Sequence, residues 1–336
     1  MKHRIGILLI LSLWLISCGN EEKRAKGPDA ATMLKKPPYA GLTDSIGRFP
    51  NDPVLYLERA LLLSQNNLHE LASPDYYKSW QLTSDPGVAL EYASNLLLIN
   101  RVDSARNFLE TISPRFPDNN DVKRRLGEIY MQTGNSEKAS QQYDEILRTD
   151  PLNFEAWFDK SELALKLGDT TSAIDAMQHS FSIMPISYTG LPLVNLYIAR
   201  KDPKALGICD VLIAQDSTHQ QTDALFLKGV YYSETQQYAK SIKQFDSCIA
   251  RDWKFTDAYI EKGIVYTQQK HYEEALKIFN MAATVSNTDS DAYYWIGRCY
   301  EAMNQKEKAI ENYQRAVSLE PNFHEAKARL HILNGS

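Results

Sequence analysis

Side chains that could do chemistry are few in this sequence and far apart. His324 and His331 stand seven residues apart, which places both on one face of a helix where they could reach a metal ion. Two imidazoles without a carboxylate or cysteine set beside them make a poor metal site, so a surface pair is the expectation. Cys209, Cys248 and Cys299 are an odd number for a disulfide framework. They read as buried free thiols acting as small hydrophobes, with a single Cys209–Cys248 bridge as the alternative. The H-E-x-x-H, phosphate-loop, G-x-G-x-x-G and G-x-S-x-G patterns are absent. The expectation is a non-enzyme with no cofactor and no metal. A formal charge of −5 argues against nucleic acid, whose phosphates demand clustered Lys and Arg.

The most specific chemical signal is Cys18. Lys2, His3 and Arg4 precede an apolar run from Ile5 to Ile16, broken only by Gly6 and Ser12. Such a run is a signal-peptide core and falls short of the roughly 20 residues that span a bilayer. It ends Leu15-Ile16-Ser17-Cys18-Gly19, which resembles the bacterial lipobox. That resemblance implies removal of residues 1–17, a diacylglycerol on Cys18, and a lipid-anchored protein of the cell envelope, with the outer membrane the expected site. Loss of Lys2 and Arg4 moves the formal charge from −5 to −7. Attachment would then come from acyl chains, more than one of them, and not from anionic lipid heads. Residues 18–38, charged and Pro-flanked, read as a tether reaching about 25 Å. Glu21-Glu22 weakly resembles the acidic export signal of surface lipoproteins in the Bacteroidetes; a solvated linker is the plainer reading.

Behind these groups lies a repeat. Ala72, Ala105, Ala139, Ala173, Ala205, Ser241, Ala275 and Ala309 follow one another at spacings of 33, 34, 34, 32, 36, 34 and 34 residues. Apolar residues recur around each at the helical period. The last unit shows Tyr293, Ile296, Gly297, Tyr300, Ala309, Tyr313, Ala316 and Pro321; the third shows Leu126, Gly127, Tyr130, Ala139, Tyr143, Ile146 and Pro151. The period and these positions resemble the helix-turn-helix unit of tetratricopeptide repeats, over about residues 53–334. The resemblance implies an all-α fold: a right-handed superhelical solenoid of about eight helix-turn-helix repeats with terminal capping helices. The array spans 53–323, a half-repeat over 39–52 caps its start, and a helix over 324–336 caps its end. No single pair can bury its apolar face, so the stack is the fold. Gly190 and Pro192 suit a helix interior poorly and predict a break near residues 186–194, either a hinge or a degenerate repeat. Lys160, Lys228 and Lys262 occupy a slot where the family usually has Leu, so their stems should pack while their ammonium groups reach water.

The resemblance places the binding surface on the concave wall lined by first helices, and implies a protein or peptide of the envelope as partner. Transferred by register, that wall holds Phe226 and Val230, Ile260 and Ile264, then Tyr294 and Arg298, an apolar-to-aromatic stripe with Arg298 as an anchor for a carboxylate. In the amino-terminal half Arg124, Glu128, Phe158 and Glu162 make the same wall polar. The alternative is that Val230, Ile260 and Ile264 pack against neighbouring repeats. The Lys, Asn and Arg set with which one subclass of the family clamps acidic C-terminal peptides is missing. A second functional reading, a groove for glycan or another small ligand or an unrecognised enzyme, rests on Tyr231, Tyr232, Tyr259, Tyr266, Tyr293 and Tyr294.

Overall fold

A computed structural model describes residues 30–218 and 221–335; the signal segment and Cys18 lie outside the described residues. Two short helices come first, α1 (Ala30–Leu34) and α2 (Ala40–Arg48). Eight helix pairs follow. They are α3 (Pro53–Gln65) with α4 (His69–Thr83), α5 (Pro86–Leu98) with α6 (Val102–Ile112), α7 (Asn120–Gln132) with α8 (Ser136–Thr149), and α9 (Phe154–Lys166) with α10 (Thr170–Ile183). After them come α11 (Ser187–Ala199) with α12 (Lys204–Gln215), α13 (Asp223–Glu234) with α14 (Tyr238–Arg251), α15 (Thr256–Gln268) with α16 (Tyr272–Val285), and α17 (Ser290–Ala302) with α18 (Lys306–Leu319). The last helix is α19 (His324–Asn334). The described residues contain no β-strand and no helix long and apolar enough to cross a membrane. The chain forms one compact unit up to Ala176 and a second from Met177, the division falling inside α10.

Turn chemistry sets the pairs. First helices begin at Asp52, Asp85, Asn119, Asn153 and Asp289, whose side chains accept from backbone N–H groups of the first turn, the usual N-cap arrangement. Between the two helices of every pair one residue turns left-handed: Asn67, Asn100, Gly134, Gly168, Lys201, Gln236, Lys270 and Asn304. The next residue in each case donates back to a carbonyl five residues earlier, as Asn135 does to Tyr130 at 2.8 Å and His271 to Tyr266 at 2.9 Å. This closes the first helix and frees the chain to start the second.

The small residues of the repeat lie where the paired helices meet. All eight, from Ala72 to Ala309, are 0% exposed. Twelve positions earlier stand Ala60, Ala93, Gly127, Ser161, Gly229, Gly263 and Gly297 in seven of the pairs. A Cβ on Gly127, Gly229 or Gly297 would meet the ring of Tyr143, Phe245 or Tyr313 at 2.6, 2.6 and 2.7 Å, so glycine there is a packing requirement. Serine fits at either position because its hydroxyl has a carbonyl to bind. Ser161 donates to Ala173 O and Ser241 to Gly229 O, both at 2.8 Å.

Two sequence expectations need correction. The break near 186–194 is absent: α11 runs unbroken through Gly190 and Pro192. Pro192 is the sixth of the thirteen residues of α11, an interior position from which it can donate no intrahelical hydrogen bond, and the helix continues through it. Gly190 leaves room for Phe181, whose ring a Cβ would meet at 2.8 Å. Residues 30–38, assigned to the tether by their composition, also join the fold. Met33 and Leu34 pack on the cluster of Tyr39, Ala60 and Leu63, and Thr43 Oγ1 donates to Leu34 O at 2.7 Å.

The three lysines do pack their stems, and their ammonium groups find partners. Lys160, Lys228 and Lys262 pair with Asp144, Asp210 and Asp246 on the second helix of the preceding pair.

Candidate partner-binding faces

In the first unit Arg124 and Arg125 on α7 are paired with carboxylates, while Glu162 on α9 is half-buried and burial raises its carboxyl pKa. Arg124 on α7 reaches α9 and binds Asp159 and Glu155, each at 2.8 Å. Arg125 pairs with Glu128 at 2.8 Å. Burial raises the carboxyl pKa of Asp159, and the hydrogen bond from Arg124 opposes that rise. These charges hold α7 to α9.

The first helices of the second unit carry the six residues expected to bind a partner, and none of the six is fully exposed. Ile264 is 8% exposed and belongs to the cluster with Ala275, Phe279 and Ile296. Ile260 packs on the same cluster and on Tyr259, Ala282 and Ala292. Phe226 lies against the rings of Phe245 and Phe255, at 5.7 and 5.2 Å. Tyr294 packs beside Tyr313 and Phe323. Arg298 donates to the Tyr294 hydroxyl at 3.1 Å, with its guanidinium 5.8 Å from the Trp295 ring. Val230 is half-buried. Phe226, Ile260 and Ile264 are thus engaged in packing between helices.

Acidic side chains gather on this face around Glu261. Glu261 on α15 is half-buried and has neither a hydrogen bond nor an ion pair. Asp257 precedes it by one turn. Burial, then repulsion from Asp257, Glu234 and Asp291, holds its carboxyl up to about 7. Those neighbours come from α15, α13 and α17, three successive first helices, and Glu234 is itself paired with Lys201 at 3.8 Å. Burial and the nearby Asp289 raise Asp257 as well. The acidic group went unnoticed in the sequence, although Asp223, Asp257 and Asp291 sit at the same place in three consecutive repeats.

Other chemical candidates resolve simply. Cys209, Cys248 and Cys299 are buried free thiols, and burial pushes each up to about 12, far from the reactive thiolate range. His324 and His331 are exposed, and no metal-binding group of His, Cys, Asp or Glu occurs among the described residues. Of the tyrosines considered for glycan binding, Tyr231 and Tyr259 are 5% and 4% exposed, and Tyr293 packs on two clusters.

Sequence patterns of the tetratricopeptide repeat match residues 93–151, 124–179, 256–289 and 290–323. No curated protein matches the chain. Among solved structures, a tetratricopeptide repeat protein from Parabacteroides merdae is 18% identical, with 73% of this chain and 97% of that one covered at a TM-score of 0.55. The C-terminal part of a TPR repeat-containing protein from Cytophaga hutchinsonii is 15% identical, covering 71% and 98% at 0.53. PilW, a type IV pilus biogenesis factor, is 17% identical, covering 63% and 98% at 0.50. At these identities the likeness is one of fold.

Proposed function

We propose that this chain, a tetratricopeptide repeat protein, is a non-catalytic scaffold for protein–protein interaction that holds a basic segment of an envelope protein against the first helices of its second unit. One observation carries the choice of partner: Glu261 is a half-buried carboxylate with no cation beside it and three carboxylates around it. A Lys or Arg brought in by a partner would relieve that repulsion at low local dielectric. An apolar peptide with a terminal carboxylate fits less well, because Ile260, Ile264 and Phe226 are committed to packing and Arg298 is bound to Tyr294.

The test is crosslinking capture from intact cells with the tagged, full-length chain and with Glu261→Gln/Asp257→Asn, which keeps shape while removing charge. A partner held by the wild type, released by moderate salt and lost from the double variant supports the reading. The same partners on both proteins would move binding to another surface.

The anchor rests on the sequence around Cys18 alone. Within this proposal Cys18 carries the lipid, which tethers the scaffold to the outer membrane. Cys18→Ser should release the protein from the membrane fraction, and membrane retention of that variant would overturn the anchor.

A further inference from the structure

We draw no further inference here: the strongest candidate, the exposed apolar side chains of Val54, Leu61 and Leu98 on the first helices of the first two repeats, carries nothing because no feature of the structure shows what covers them.

Discussion

Gly297 lies beneath the ring of Tyr313 with no room for a methyl group, since a Cβ there would stand 2.7 Å from Cε1. The ring is not free to swing away, because its hydroxyl donates to Glu301 Oε2 at 2.6 Å. In an open helix, Gly→Ala would stabilise by about 1 kcal/mol; overpacking a tight contact costs about 1–3 kcal/mol. The second effect should win. Gly297→Ala is expected to lower the melting temperature, and adding Tyr313→Leu should restore part of it. A stabilised single variant would show that the crossing is loose.

Tyr143 and Tyr313 occupy the same repeat position and differ in one respect. The Tyr143 hydroxyl is buried with no partner, whereas that of Tyr313 is bound. Repeats six and seven have Phe245 and Phe279 there, both 0% exposed. Tyr143→Phe should therefore stabilise the chain, and Tyr313→Phe destabilise it, each by roughly 1 kcal/mol. Denaturant midpoints measured side by side decide the matter; equal shifts of one sign would contradict it.

Glu261 makes stability depend on pH in a stated direction. Its carboxyl stands at about 7 in the folded chain, above the ordinary glutamate value that it takes when unfolded. Between those two values the folded state holds a proton that the unfolded state has released, so stability falls as pH rises through this window and levels off above it. Glu261→Gln removes the term. At pH 8 the variant should be more stable than wild type by on the order of 1–3 kcal/mol, and at pH 4.5 the two should coincide. Binding of a basic partner should run the other way, strengthening from pH 6 to pH 8 as Glu261 ionises.

Lys201, Gln236 and Lys270 adopt the left-handed backbone with φ of 53°, 59° and 62°, where glycine or asparagine is favoured. Lys270→Gly and Gln236→Gly should each stabilise by about 0.5–1 kcal/mol. Urea melts of the single and double variants check this, and additivity is expected because the two turns share no partner.

Ile264 offers a test of the binding stripe itself. At 8% exposure in a cluster with Phe279 and Ile296, it should respond to Asp as a core residue does, with loss of roughly 3 kcal/mol or more. Preserved stability in Ile264→Asp would return it to the set of free surface residues.

The repeat was legible because its physics is local. A small residue every 34 positions, flanked by aromatics, declares the close approach of two helices, and burial of all eight bears this out. Gly134 and Gly168 marked turns in the same way. The surface was less legible. Register tells which way Ile260 and Ile264 point, but not that the adjacent repeat covers them. Glu234, Asp257, Glu261 and Asp291 meet only after three helices stack, and nothing in their separations along the chain joins them. Pro192 misled for the opposite reason: one missing donor inside α11 does not end a helix whose neighbouring residues Leu193, Val194 and Tyr197 are buried.

The lysine–aspartate ties do more than join neighbours. Helix pairs so alike in shape could stack in the wrong order, one skipped or exchanged with a second chain. Repeats four, six and seven each carry a lysine that pairs with an aspartate from the repeat before it, while the eighth has Ile296 at that slot and the seventh has Asn280 in place of the aspartate. Repeat six or seven seated on repeat four, which has Gln178 at the aspartate's position, would leave its ammonium half-covered beside a neutral side chain, whereas repeat seven seated on repeat five would still find Asp210. Each tie adds little energy at the surface. Their pattern along the chain therefore narrows the stacking orders open to these look-alike repeats and excludes some neighbours outright.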